Sequence, residues 1–419
     1  MRQSLNQRQQ HLVELAAPLA DAFAERAELH DRDNTFPHEN YAELREAGLL
    51  RLTLPEELGG HGASQAELLP VLERLAMGDG STALAVTMHL SPLAQWSSVW
   101  RRTKSPVLED LLRKAAKDEL VWASVTSEVG TPNLMTDAKT TATRVEGGFR
   151  INGRKSFATN TSVATHCSTT ARYEDPDRGP RLMLLRIDLN APGVQVHPTW
   201  DTLGMRATRS DDVEFSNHFV PDDEVVYSLP VGHLDARILE TVFAWAMPAF
   251  GAVFLGIAAG ALEWTLHQTR GRDKAADARV QDTIAHCEIQ LETARAMLYR
   301  HADEVASGQL REGYTVQEGL ARCAMVKYVC TNNATDIVGR LSEVLGGAGY
   351  LRKLPFQRMW RDVQAGTIMP FANHPAREII GATALGIELA PVSVALPDGS
   401  ASLPPEATSG TDEQRTSQQ

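Results

Sequence analysis

Cysteine is scarce: four residues in 419, Cys167, Cys287, Cys323 and Cys330. So few thiols at irregular spacing exclude a disulfide framework and offer no zinc-ligand pattern, so no metal site is expected and the four read as buried groups in a reducing cytoplasm. Basic residues are outnumbered, 41 against 53 acidic, for a net charge of -12, and no block of like charge stands out. That balance excludes a chain whose main task is neutralising phosphate backbones, so no nucleic-acid partner is expected. The first residues, Met1-Arg2-Gln3-Ser4, lead into polar sequence without the apolar core and small-residue cleavage site of a signal peptide, and cytoplasmic residence is the expectation. What is left is a chain long enough for two or three domains, most simply an enzyme acting on a small molecule.

One apolar run tests this. Residues 241–262, TVFAWAMPAFGAVFLGIAAGAL, carry no charge and are long enough to span a membrane. The run is rich in Ala and Gly, is broken by Pro248 and Gly251, and leads into an amphipathic pattern instead of a basic anchor. A buried bundle helix is therefore expected, and no membrane span.

Along the chain the texture changes twice. Leu12, Leu15, Leu19 and Phe23 recur at one-face helical spacing, and Leu44, Leu49 and Leu50 fall in a second helical stretch, before Pro55 and Gly59-Gly60 mark a loop. From Val121 come short β-branched runs: Thr141 to Val145, a resumption at Phe149, then Arg181 to Leu189, Gly193 to His197 and Asp212 to Phe219. After Pro230 helical periodicity returns in Ile284, Cys287, Leu291, Ala294 and Leu298 and again from Leu320 to Leu345. The expected fold is α+β: a helical domain over 1–120, a middle β-barrel or sandwich over 121–228, a four-helix bundle over 229–389, and a Pro-, Ser- and Thr-rich disordered tail over 390–419.

The motifs point further. Val344 to Asp362, VLGGAGYLRKLPFQRMWRD, resembles the signature near the end of acyl-CoA dehydrogenases. Gly153 to Asn160, GRKSFATN, looks like that family's stretch beside the flavin ring, Ser127-Glu128 like its Thr-Glu-Pro segment, and Leu203 to Arg206 like the loop closing its β domain. The resemblance covers about Leu44 to Gly386. It implies FAD as cofactor, with Ser127, Phe157 and Thr159 at the isoalloxazine ring. Arg270, Gln281, Glu343, Gly346 and Gly347 would hold the adenosine diphosphate portion, where glycine permits close backbone approach. It also implies a homo-oligomer, dimer or tetramer, with flavin at a subunit interface. Three departures stand out: Pro132, Asn133 and Leu134 replace the family's Gly-Ser-Asp; Asp273-Lys274 replaces Phe-Gly; and Glu343 replaces a glutamine, losing an amide donor.

The largest departure is the base. Acyl-CoA dehydrogenation needs a group to take the α-proton while a hydride leaves for flavin, and a desolvated carboxylate suits that task. An ungapped match places Pro370 where the family carries its glutamate, a gapped match places Ala365 there, and the alternative site on the first bundle helix is Ala246. His374, four residues after Pro370 and so one helical turn on, is the candidate base, with Asp235 and Glu240 behind it. The reading favoured by the extent of the resemblance is α,β-dehydrogenation of an acyl-CoA, electrons passing to an acceptor protein. The missing glutamate favours a monooxygenase on the same fold, which takes reduced flavin from a partner flavin reductase. A flavin-free scaffold is the third reading.

Overall fold

The computed structural model describes residues 5–117, 119–131, 136–395 and 401–402. Five helices open the chain: α1 (Gln7–Asp33), α2 (His38–Glu46), α3 (Gln65–Gly78), α4 (Gly80–Thr103) and α5 (Pro106–Ala116). Their starts follow from capping chemistry. Asn6 with Gln9 and Ser64 with Glu67 form reciprocal capping boxes, and the Asp79 carboxylate accepts from Ser81 N and Thr82 N at the head of α4. Helix α2 stops at Glu46 because Gly48 takes a left-handed conformation (φ 73°), so Leu49 and Leu50 sit in a separate 3-10 turn instead of continuing the helix.

Eight strands follow: β1 (Trp122–Val125), β2 (Thr141–Val145), β3 (Gly148–Lys155), β4 (His166–Asp175), β5 (Gly179–Asp188), β6 (Val194–His197), β7 (Asp212–Pro221) and β8 (Val225–Pro230). The sheet runs β6-β7-β3-β2-β4-β5-β8, and β4 changes partner along its length, pairing residues 166–169 with β1 and 172–173 with β2. Its core, which includes Val125, Ile151, Leu185, Val213 and Phe215, is separate from the core shared by the two helical regions. The expected strands are all present, shifted by a residue or two at their ends.

The C-terminal helices are α6 (Ala244–Thr269), α7 (Ala278–Ala306), α8 (Val316–Leu345), α9 (Phe356–Asp362) and α10 (Asn373–Ala384). Helix α6 contains most of the uncharged run, and 89% of its most apolar stretch is buried against other helices. Its small residues have a packing purpose: a Cβ on Gly256 would lie 2.3 Å from Glu73 O of α3, so only glycine lets the two backbones approach. All four cysteines are buried free thiols.

The tail expected to be disordered from position 390 is ordered at its start. Val392–Ala395 forms a strand parallel to Leu234–Asp235, where Leu234 N also donates to Pro391 O, and Ala401–Ser402 pairs with it in turn. A short β-branched run beside an open strand edge satisfies its backbone by pairing, a signal composition alone does not carry. The rest of the tail, and the Pro132-Asn133-Leu134 departure, lie outside the described residues.

Candidate functional site

A cavity of about 740 Å³ lies where the three regions meet, walled by α4, by the loops after β1 and β3, by the 200–210 loop, by α6 and by residues 361–370. Two anchors hold these walls together. The first is an ion pair buried in the β domain: Lys155 Nζ donates to Glu128 Oε1 at 2.7 Å, with both side chains essentially inaccessible. Glu128 also accepts from Thr140 N and Thr140 Oγ1 at 2.8 and 2.6 Å and from the Lys139 amide. Burial works to raise the Glu128 carboxyl, but the Lys155 charge and these donors outweigh it and hold the group below its ordinary pKa. The ionised pair fixes the segment from Ser127 to Gly130, part of the cavity wall.

The second anchor is Lys327, alone and fully buried on the apolar face of α8. Its ammonium donates to the carbonyls of Gly366, Met369 (3.0 Å) and Phe371 (2.8 Å), pinning the 366–371 loop that puts Met369 and Pro370 on the cavity. Burial without a carboxylate partner pulls its pKa down to about 7. A third set of contacts joins the domains: Arg358 reaches Asp79 Oδ1 at 3.3 Å, and Asp362 Oδ1 accepts from Met205 N at 2.6 Å. Gly204 permits this, since a Cβ there would fall 2.4 Å from Arg361 O.

Three of the expected flavin residues line the cavity: Ser127, Phe157 and Thr159. Phe157 takes a left-handed backbone (φ 58°) and is 60% exposed, its ring edge-to-face with Trp200 at 5.8 Å. A bulky residue held at positive φ with its ring uncovered is a strained arrangement common where ligands bind. The hydroxyls of Thr126 and Ser127, also in the lining, meet no partner among the described residues.

Thr159 sits at the end of a directed relay. Met205 O can only accept, so Thr208 Oγ1 must donate to it (2.8 Å); Ser210 then donates to Thr208 (2.8 Å), and Thr159 must donate to Ser210 (2.7 Å). With its proton committed, Thr159 offers the cavity only lone pairs.

The other expected cofactor residues lie elsewhere. Arg270 ends α6 in solvent, the exposed Gln281 donates to Ala275 O at 3.0 Å, and Glu343, Gly346 and Gly347 are exposed around the end of α8. None of them lines the cavity within this one chain.

The candidate bases are not brought to it either. His374 is exposed on the first turn of α10 and lines no part of the cavity. The four-residue step from Pro370 is not a helical turn, because Ala372 is extended (φ -58°, ψ 158°) and α10 begins only at Asn373. Asp235 is buried but occupied, capping a short helix and bonding Arg237 N and Nε at 2.8 and 2.9 Å. Glu240 faces Arg102 at 3.7 Å. By contrast, Ala246, Ala365 and Pro370, the three positions that match the family's glutamate, all line the cavity.

Sequence reasoning passed over Lys327, Thr208, Ser210, and the polar stripe Thr87, Ser91 and Gln95 on the cavity face of α4. The signals were a lone lysine in an apolar stripe and hydroxyls or amides repeating every four residues in an otherwise apolar helix.

The sequence matches the acyl-CoA dehydrogenase N-terminal domain over residues 6–99, the middle domain over 124–218 and the C-terminal domain over 236–385. An amino sugar nitrososynthase from Streptomyces peucetius is 30% identical, covering 85% of this chain and 88% of its own. A putative acyl-CoA dehydrogenase of Bacillus subtilis is 29% identical (87% and 94% covered), and a probable FMNH2-dependent monooxygenase of Pseudomonas putida 28% (87% and 92%). Among solved structures, KijD3 in complex with FMN and a dTDP-linked amino-keto sugar superposes with a TM-score of 0.83 at 27% identity, covering 92% of this chain and 95% of that one. FMN-bound TdsC from Paenibacillus superposes with a TM-score of 0.80 at 26% identity, covering 90% and 97%. The chain belongs to the acyl-CoA dehydrogenase superfamily and has its flavoprotein fold.

Proposed function

We propose that this chain is a monooxygenase that takes reduced FMN from a separate flavin reductase and oxygenates a small molecule. The observation that carries the reading is the cavity lining at Ala246, Ala365 and Pro370, none of which can accept a proton. The acids that do line it are engaged: Glu128 by Lys155 and Thr140, and Asp137 by Arg172 at 3.0 Å. Dehydrogenation of an acyl thioester needs a positioned base, whereas oxygen transfer from a reduced flavin does not.

The residues present fit a flavin. The uncovered Phe157 ring beside Trp200 suits a flat ring system, and the free hydroxyls of Thr126 and Ser127 suit its polar edge. When bound, reduced flavin supplies two electrons and two protons for dioxygen, so that one oxygen atom enters the substrate and the other leaves as water. Thr159 supports the reduced form in particular. Reduction adds N–H groups to the ring, and a hydroxyl that can only accept matches a ring that donates. The Phe and Met side chains of α4 and α6 exclude water around the reacting groups. FMN is favoured over FAD by Glu343 and Asp273-Lys274 in the segments expected to hold an adenosine diphosphate group, and by the FMN seen in the similar structures. The exposed Tyr350 (91%), with Gly346 and Gly347, supports a second copy of the chain covering that end of α8.

The test is an anaerobic titration of the FMN-loaded protein with butyryl-CoA and octanoyl-CoA, beside equilibrium binding of oxidised and reduced FMN. The flavin stays oxidised, reduced FMN binds more tightly, and His374→Ala changes neither result. Bleaching by either thioester would overturn the proposal.

A further inference from the structure

We propose that the substrate is a neutral, largely apolar ring compound carrying one hydrogen-bonding atom, and that Gln95 and Ser91 recognise that atom at the buried end of the cavity. The inference rests on the monooxygenase reading in one respect: the cavity is taken to hold flavin and substrate together.

The cavity has two distinct ends. At its mouth Val129, Phe157, Leu203 and Ile368 are 60–72% exposed. The opposite wall is α4, where Ser91 is 3% and Gln95 8% exposed. These two lie one turn apart on the same helical face, below Thr87, so their polar atoms share a side. Thr87 is already satisfied, its hydroxyl donating to Ala83 O at 2.8 Å. Ser91 Oγ is buried with no partner, and no hydrogen bond reaches the Gln95 amide from any described residue. Buried polar groups are rarely left unsatisfied. One such group beside an unpartnered amide, on a helix face that lines the cavity, is what a ligand's polar atom would complete.

The rest of that end is apolar and soft. Leu84 and Met88 of α4 face Phe243, Met247 and Phe250, side chains suited to the faces and edges of a ring. Charge is excluded. The ionisable lining residues are Glu128, Asp137 and Arg361, and each is engaged, Arg361 by Asp31 (2.9 Å) and Leu203 O (2.8 Å). The stretch 132–135, Pro-Asn-Leu-Met, adds no ionisable residue. A carboxylate or phosphate drawn to this buried end of the cavity would lose its water and find no free cation among the described residues, which penalises a substrate whose charge must sit there.

The test is equilibrium binding to the full chain loaded with oxidised FMN, using three probes of similar shape: quinoline, naphthalene and quinoline-2-carboxylate. Quinoline is expected to bind about fivefold more tightly than naphthalene, the worth of one neutral hydrogen bond, and at least about tenfold more tightly than the carboxylate. Gln95→Leu should erase the preference for quinoline over naphthalene while leaving naphthalene and FMN binding in place. Ser91→Ala, the smaller change, should reduce the preference part of the way. Carboxylate binding equal to quinoline binding, or a preference that survives both substitutions, would overturn the proposal. No reductase or turnover enters these measurements, so the substrate class and the monooxygenase reading fail by different results.

Discussion

Replacing Lys155 with methionine should destabilise the β domain and do so in a pH-dependent way. In the native chain the Lys155–Glu128 pair is buried to 0% and 3% side-chain exposure, and Glu128 retains only the Thr140 and Lys139 donors if the lysine is lost. Removing one partner of a buried pair leaves an uncompensated charge, at a cost of about 3–5 kcal/mol. Its sign with pH follows from Glu128. In the native protein its pKa is lowered despite burial, so it contributes stability above its unfolded pKa. In the variant the opposing lysine is gone, burial dominates, and the folded-state pKa should rise above the ordinary value. Protonation then relieves the variant as the solution is acidified. The gap between wild type and variant should be widest near neutrality and narrow as the pH falls through the carboxylate range. Urea unfolding near pH 7.5 and pH 5 measures both values, and flavin binding should weaken in parallel because Ser127 stands next to Glu128. Adding Glu128→Gln to Lys155→Met should recover part of the loss, since the double variant buries no lone charge. A loss below about 1 kcal/mol, or a gap that widens in acid, would refute the reasoning.

Two further predictions concern Lys327 and the hydroxyl relay. Lys327 has a folded pKa near 7, below its unfolded value, so the native state binds fewer protons between those values and gains stability as pH rises through that window; the penalty is complete below it. Lys327→Met should abolish this rise, worth about 2–3 kcal/mol between pH 7 and pH 9, and chemical denaturation of both proteins at the two pH values measures it. Thr208→Val removes the acceptor that directs the relay, freeing Ser210 to donate to Thr159 and Thr159 to donate to the cavity. The preference for reduced over oxidised FMN should then fall by about fivefold in paired titrations, one hydrogen bond's worth.

The parts of this molecule legible from the sequence are those set by periodicity. Alternating runs gave the strands at Thr141–Val145, from Phe149, and at Arg181–Leu189, Gly193–His197 and Asp212–Phe219 to within a residue or two but not β4 (His166–Asp175), and the Ala- and Gly-rich composition of residues 241–262 separated a helix packed on its neighbours from a lipid-facing one. Spacing misled at His374, where four residues equal one turn only inside a helix and the intervening Ala372 is extended. Composition misled at the tail, because whether Val392–Ala395 pairs depends on the open edge at Leu234, more than 150 residues earlier. What stands at the positions matching the family's glutamate, in contrast, could be read directly: Ala246, Ala365 and Pro370 carry no ionisable group, and the fold brings all three to one cavity.

That convergence also explains why the polar groups of the site escaped notice. A catalytic carboxylate is visible in sequence as a charge out of place, whereas Ser91, Gln95, Thr159, Thr208 and Ser210 are neutral residues that pass as ordinary helix and loop positions. Their meaning lies in which of them still has a proton or lone pair to offer. Thr208 spends its proton on Met205 O, Thr159 spends its own on Ser210, and Ser91 spends nothing. A count of donors and acceptors needs coordinates, since each assignment depends on a partner from another element. On the monooxygenase reading, the chemistry of the site is therefore carried by groups that only the fold can distinguish from packing.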